Sequence, residues 1–382
     1  MSVTMKTENG TPVLNLSGRI TSANAAEAEQ QANAALGDYS GKALTLDLGE
    51  LEYISSAGLR VLLRLRKRFA GMEMVNVSSD VYEVFEMTGF TEMMEIHKAY
   101  RKVSVEGCQV IGKGANGIVY RLDPDTVVKV YLNDDSLDVI QHEREVAKLA
   151  FVLGIPTAMS YDVVKVDNHY ASMFEMIDAK SFATLLGEPD VDIDKLAKEY
   201  ASLVKLIHST HVPDHQLPSK KEAELKCVEN IKDRLPDDAY KKLLKFFCSL
   251  EDSDTMLHCD LHIKNLMMTE DGIMLIDMDT LAVGDPIFEW ASVWSAYVGY
   301  GIADPKNAEK FFEAPGEAIN KFYKRSLAYY WGSEDEAFLN KKEEEASIVA
   351  LPHIIDHYIR HHKTLESELS IKRLIALLDE VE

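Results

Sequence analysis

The run HCDLHIKNLMMTEDGIMLIDMD, from His258 to Asp279, places a carboxylate, an amide and a second carboxylate at a spacing suited to phosphoryl transfer. Asp260 and Asn265 stand five apart on what reads as a loop. A short turn at Glu270, Asp271 and Gly272 then leads into an apolar strand, Ile273 to Ile276, which delivers Asp277. In this arrangement Asp260 would orient a hydroxyl and take its proton, while Asn265 and Asp277 would hold Mg²⁺. Asp279 offers a further carboxylate for the metal or its surroundings. Positioning and charge neutralisation carry most of such a reaction, so few reactive side chains are needed. H-x-D-x-x-x-x-N is short, and a polar turn between a helix and a strand would read the same way. The elements that would have to hold a nucleotide decide between the two.

Those elements stand upstream and in order. Gly112, Gly114, Gly117 and Val119 in GKGANGIVY form G-x-G-x-x-G-x-V, with Val110 and Ile111 before and Tyr120 after. The strand-like flanks predict a β-turn-β cover whose backbone N–H groups approach phosphate oxygens. A dinucleotide fingerprint of the same spacing would open a helix, whereas these residues continue as strand to a turn at Asp123-Pro124-Asp125. Val127 to Tyr131 follows as a short strand with one inward lysine, Lys129. Glu145, sixteen positions on, lies in the helical run Ser136 to Leu153 and is the expected ion-pair partner that aims Lys129 at the α and β phosphates of ATP. At Phe174-Glu175-Met176-Ile177 a hinge is expected, where the backbone of Glu175 and Ile177 would meet adenine.

With four elements in this order, residues 100 to 382 resemble the eukaryotic-like kinase superfamily and, within it, the aminoglycoside phosphotransferase and choline kinase branch. The branch follows from particular departures. A protein kinase would show H-R-D, D-F-G and A-P-E, whereas this chain has His258-Cys259-Asp260, Asp277-Met278-Asp279 and no A-P-E. H-x-D-L-H-x-x-N, with Leu261 and His262, followed by I-D-x-D, is similar to the small-molecule kinases. Where the branch places an aspartate that braces the catalytic loop, this chain has Glu289 in GDPIFEWA. The resemblance implies an α+β bilobal fold, with a small β-rich lobe at about 101–175 and a large helical lobe at about 176–382. It also implies ATP and Mg²⁺ as cofactors and an alcohol as acceptor.

The first hundred residues hold none of this and read as a separate α/β unit. Val3 to Thr7 and Pro12 to Leu16 predict two strands joined by a turn at Asn9-Gly10. Asn24 to Leu36 predicts a helix, and Ala43 to Leu48 a strand alternating Leu44, Leu46 and Leu48 with polar residues. YISSAGLRVLLRLRKRFAG then reads as a turn opening a helix from about Ala57 to Ala70. Leu59, Leu62, Leu63 and Phe69 share one face, and Arg60, Arg64, Lys67 and Arg68 form a solvated one. A strand at Met72 to Val77 and a helix from about Val81 to Met87 complete the unit. LSGRITSANAAE, LDLGELEYISSAGLRVLL and VFEMTGF, in that order, give residues 1 to 99 a resemblance to a STAS domain of the anti-sigma factor antagonist type. In that family the serine two places before the motif glycine is a phosphorylation switch, which maps onto Ser56 before Gly58. A phosphate there would meet the unpaired N–H groups and positive end of a helix. Ser55 or Ser56 would also serve simply as a helix cap.

Composition limits the partners. With 382 residues, two to three domains are expected. No apolar segment is long enough to cross a bilayer, and MSVTMKTENG lacks a signal-peptide pattern, so a cytoplasmic protein is expected. Cys108, Cys227, Cys248 and Cys259 form no C-x-x-C pair and indicate neither zinc nor a disulfide framework. A net charge of -22 argues against a nucleic-acid backbone. Residues 1 to 100 carry 9 basic and 13 acidic side chains, leaving 32 and 50 for the rest, so the excess acid lies with the kinase-like part. That field suits either a cationic substrate or simple solubility. The junction Tyr100 to Gly107 has no Pro/Gly/Ser-rich spacer, which predicts domains packed together. Trp290, Trp294, Tyr297 and Tyr300 read as core or as a cage for a substrate cation. His353, His357 and His361 recur at four-residue spacing, but with no carboxylate or cysteine at partner spacing they read as exposed or packing residues, and His208 reads as structural.

The expected protein is therefore an ATP- and Mg²⁺-dependent phosphotransferase fused to a STAS domain. Its acceptor is a small hydroxyl-bearing molecule or a protein serine. Its STAS partner is an anti-sigma or stress-signalling protein, and neither nucleic acid nor membrane is expected. The alternative is a non-catalytic, nucleotide-sensing module that acts as an anti-sigma factor antagonist.

Overall fold

The computed structural model describes residues 1–8, 11–114, 117–133, 136–213 and 216–380. One compact unit comprises Met1–Gly107 with Val163–Ala171, and the other comprises Cys108–Asp162 with Ser172–Glu382. The expected turn at Asn9-Gly10 lies outside the described residues.

In the first unit, Ser2–Glu8 and Thr11–Ile20 pair antiparallel, and Thr11–Ile20 runs parallel to Ala43–Asp47. Gly71–Val77 and Glu95–Lys98 extend the sheet in the same sense. The alternation at Leu44, Leu46 and Leu48 puts all three in the core, where removing each side chain from water contributes roughly 1.5–3 kcal/mol. Two strands escaped the sequence reading. Leu51–Ile54, whose last two residues begin the expected turn, pairs parallel with the end of Thr11–Ile20, and Glu95–Lys98 forms the far edge. Both are four residues long, too short for a period-2 signal to stand out.

Helix Ser56–Arg68 packs on this sheet through Leu59, Val61, Leu62 and Leu65. Its contact fixes Gly58: a Cβ there would stand 2.7 Å from side-chain carbons of both Ile20 and Ile54. Arg60, Arg64, Lys67 and Arg68 are exposed, as their spacing predicts, and Arg64 pairs with Glu29 across the neighbouring helix Ala25–Leu36.

In the second unit, Gln109–Lys113, Gly117–Arg121 and Thr126–Tyr131 form an antiparallel meander. Helix Ser136–Val152 follows the meander. Thereafter the unit is mostly helical, from Ile193–His208 to Thr364–Glu380, around one large apolar core. Within it Leu266–Thr269 and Gly272–Leu275 make the hairpin that separates Asn265 from Asp277. No helix is long and apolar enough to cross a membrane among the described residues.

Trp290, Trp294 and Tyr297 lie on helix Ile287–Tyr297 and are buried. Trp290 packs on Tyr330, and Tyr297 on Phe312, Phe322 and Tyr323. Trp290, Trp294 and Tyr297 are thus core, while the fourth ring of the cluster, Tyr300, is half-buried and packs on His357 and Tyr358. His208 is structural as expected, its Nδ1 bonded to the Tyr330 hydroxyl at 2.8 Å.

Candidate active site

Two neighbours hold the ammonium of Lys129, on the last strand of the meander. Its Nζ donates to Glu143 Oε1 and Oε2 at 3.1 and 3.2 Å, and to Asp277 Oδ1 at 2.9 Å. Burial opposes the charge on this amine, but Glu143, Tyr131 and Asp277 outweigh it and keep the ammonium protonated far above neutral pH. The Tyr131 hydroxyl donates to Glu143 as well, so the carboxylate is oriented by two groups of one strand.

Glu145, the partner expected from the sequence, is exposed and makes no contact with Lys129. The reason is helical phase. Ile140, Glu143, Val146, Ala147 and Ala150 recur at three- and four-residue steps and form the buried stripe, whereas Glu145 falls off it. That stripe was visible in the sequence and would have selected Glu143.

The loop that follows Met256–Leu257 holds Asp260 in a frame of buried hydrogen bonds. Glu289, completely buried, accepts the backbone N–H groups of His258 at 2.6 Å and Cys259 at 3.0 Å. Burial disfavours its charge, yet His208 beside it and the His258 N–H it accepts hold the carboxyl below its ordinary range. His208 Nε2 stands 3.9 Å away, an ion-pair distance. Glu289 thus braces the loop as an aspartate would. Thr280 Oγ1 donates to the His258 carbonyl at 2.7 Å, and the Ser292 hydroxyl donates to that of Cys259. Farther along, Tyr200 donates to the Leu261 carbonyl at 3.0 Å, and the Tyr297 hydroxyl accepts the Ile263 N–H at 3.2 Å. None of these supports had a sequence signal beyond the spacing of Glu289 from the loop.

Cys259 is buried and left-handed, at φ 64°, and Asp277 is left-handed at φ 67°. Two non-glycine residues in that region on either side of one site mark backbone held by its surroundings. The His258 ring is kept neutral by burial, and its Nδ1 accepts the Asp260 N–H at 3.3 Å.

The carboxylate of Asp260 reaches the surface, with its Oδ2 accepting from Asn265 Nδ2 at 3.0 Å and its Oδ1 3.6 Å from His262 Nε2. Burial pushes its pKa above the ordinary value, against the pull of His262, His258 and Asn265. Asn265 Nδ2 also donates to the Asp260 carbonyl at 3.0 Å, so both amide hydrogens face Asp260 and the amide oxygen points away. The Ile276 N–H donates to the Asn265 carbonyl at 3.0 Å, tying that residue to the strand that ends before Asp277. Asp279 is pushed up to about 6, by burial first and by Asp277 second. Two carboxylates thus share a confined space, where protonating one relieves the other.

Gly112 and Val119 face each other in the hairpin, and the Gly114 N–H donates to the Gly117 carbonyl at 3.0 Å, closing its end. Gly117 is required sterically, since a Cβ there would meet the Val130 carbonyl oxygen at 2.3 Å. The tip residues Ala115 and Asn116 lie outside the described residues. Glu175 ends its strand, the Met176 N–H donates to the Asp125 carbonyl at 2.8 Å, and Ile177 continues as irregular backbone. In the first unit, Ser55 caps helix Ser56–Arg68, accepting the Gly58 N–H at 3.4 Å, and Ser56 is exposed as the first helical residue.

The family model of the STAS domain matches residues 2–103, and that of the phosphotransferase enzyme family matches residues 107–330, more than half of the chain. "Putative anti-sigma factor antagonist BtrV" of Bordetella bronchiseptica is 37% identical over 100 residues, which cover 25% of this chain and 85% of that protein. Among solved structures, ADP-bound aminoglycoside phosphotransferase APH(2'')-Ib aligns with a TM-score of 0.50 at 15% identity, over 78% of this chain and 98% of that one. This likeness is one of fold. The GDP and kanamycin complex of APH(2'')-IIia gives a TM-score of 0.48 at 14% identity, over 79% and 99% of the two chains.

Proposed function

Since the chain belongs to the phosphotransferase enzyme family and carries an N-terminal STAS domain, we propose that it transfers the γ-phosphate of ATP to a hydroxyl acceptor with Asp260 as base. The observation that carries this reading is the pairing of Lys129 with both Glu143 and Asp277, beside the Asp260–Asn265 hydrogen bond. These contacts support a site of the kind phosphoryl transfer requires.

Asp260 accepts the acceptor's proton as its hydroxyl oxygen bonds to the γ-phosphorus and the bond from that phosphorus to the β-bridging oxygen breaks. Asn265 orients the carboxylate, and its raised pKa moves it toward the range where a carboxylate accepts a proton effectively. Lys129, fixed by Glu143, grips the phosphates. Backbone N–H groups of the hairpin holding Gly112, Gly114, Gly117 and Val119 cover them, and the backbone of Glu175 and Ile177 meets the adenine edge.

The donors offered to a divalent cation are the Asn265 amide oxygen and the carboxylates of Asp277 and Asp279. An all-oxygen set of this kind fits Mg²⁺. When bound, the ion would neutralise charge on the β- and γ-phosphate oxygens.

The acceptor is a small hydroxyl-bearing molecule, and the STAS domain binds an anti-sigma or stress-signalling protein with Ser56 as a phosphoserine switch. The support for the switch is an exposed hydroxyl at a helix N-terminus, where a phosphate would meet free N–H groups. The test is to incubate the intact chain with γ-labelled Mg-ATP and a panel of small alcohols, then map label on both protein and small molecules. Label is expected on a small alcohol with the wild type and not with Asp260→Asn. Equal labelling by the two would overturn the assignment.

A further inference from the structure

Away from the Lys129 centre, helices Lys220–Asn230 and Glu336–Arg360 bring a carboxylate, a thiol and an imidazole together. Glu224 and Cys227 are three apart and share one helix face, opposite His353. The sequence reading found no carboxylate or cysteine at ligand spacing from His353, because these partners stand more than a hundred positions earlier in the chain. Cys227 Sγ lies 3.8 Å from His353 Nδ1, and that nitrogen lies 3.5 Å from Glu224 Oε1.

We infer that Glu224, Cys227 and His353 form a site for a thiophilic divalent cation of the zinc class. The distances carry it first. Zinc bonds of about 2.3 Å to sulfur and about 2.0–2.1 Å to nitrogen and oxygen give tetrahedral edges of roughly 3.5 and 3.3 Å. The Cys227–His353 separation exceeds the sulfur edge by only a few tenths of an ångström, and one donor atom of each of the three residues lies within 4.8 Å of the others.

Glu224 supplies the second, independent observation. It is 5% exposed, and its Oε2 is buried with no hydrogen-bond partner among the described residues. An unmet buried carboxylate oxygen is costly, and a cation would satisfy it. The other oxygen accepts from Lys220 Nζ at 2.7 Å, which leaves Oε2 as the free donor. A divalent ion here would meet two negative charges, from thiolate and carboxylate. Three protein ligands leave the fourth position to water or to a heteroatom of a bound molecule.

The test is a titration of the tag-free intact chain with Co²⁺, which reports thiolate ligation by a near-ultraviolet charge-transfer band and tetrahedral geometry by visible bands. A stoichiometric thiolate band is expected for the wild type and for Cys248→Ser, and its loss is expected in Cys227→Ser. In His353→Gln the visible bands should change and Zn²⁺ should no longer raise the Tm. Metal-free melts of each variant establish that it folds, and Cys227→Ala replaces any serine variant that does not. Absence of the band in the wild type, or its full retention in either ligand variant, would overturn the site.

Discussion

Glu143 meets Lys129 through both carboxylate oxygens, at 3.1 and 3.2 Å, from a helix that carries a second glutamate, Glu145, on its exposed side. The two are distinguished only by helical phase. Glu143→Gln should weaken nucleotide turnover by about a hundredfold through misplacement of the lysine, and cost about 2 kcal/mol of stability through the lost charged hydrogen bonds. Glu145→Gln should leave both within error. Parallel denaturant melts and turnover assays on the two variants check this, and equal effects would contradict the assignment.

Glu289 should be essential to the shape of the catalytic loop. Glu289→Ala leaves the N–H groups of His258 and Cys259 without their acceptor inside the core, a loss of about 3 kcal/mol. Glu289→Asp keeps a carboxylate and should recover part of that loss. Urea unfolding of the three proteins gives the order directly, with alanine lowest.

The fold of both units was legible where periodicity is strong. Leu44, Leu46 and Leu48 announced a half-buried strand, and the helix expected at Asn24 to Leu36 runs Ala25–Leu36. The four-residue strands were missed because pairing, not local pattern, makes them. At the candidate site, motif spacing picked out Lys129, Asp260, Asn265 and Asp277, and the fold pairs Lys129 with Asp277 and Asn265 with Asp260. The partner of Lys129 was given as Glu145, which lies off the buried stripe, whereas the stripe itself points to Glu143. Glu224 and Cys227 could not have been matched to His353 from spacing, since only tertiary packing joins their helices.

The raised pKa of Asp279 predicts a definite pH slope. In the folded chain this group keeps its proton up to about 6, whereas an unfolded aspartate releases it near about 4. Between these values the folded state binds more protons, so the unfolding free energy falls as pH rises through that window and levels off above it. Asp279→Asn should remove this contribution. Melts at closely spaced pH values on the wild type and the variant check it, and identical slopes would contradict it.

Gly58 should tolerate no side chain. In Gly58→Ala the new methyl would meet Ile20 and Ile54 at 2.7 Å, and the helix that starts at Ser56 must shift off the sheet. A loss of roughly 1–3 kcal/mol is expected in the STAS unit. Hydrogen exchange resolved by segment should show it within residues 1–107 and leave the helices of the second unit unchanged.

The most direct test of the central claim separates binding from chemistry at Asp260. Nucleotide affinity and single-turnover consumption of ATP are measured side by side for the wild type and Asp260→Asn, with Mg²⁺ present. The account predicts affinity within about twofold and a phosphoryl-transfer rate lower by about 10²–10⁴. Unchanged turnover in Asp260→Asn would contradict it.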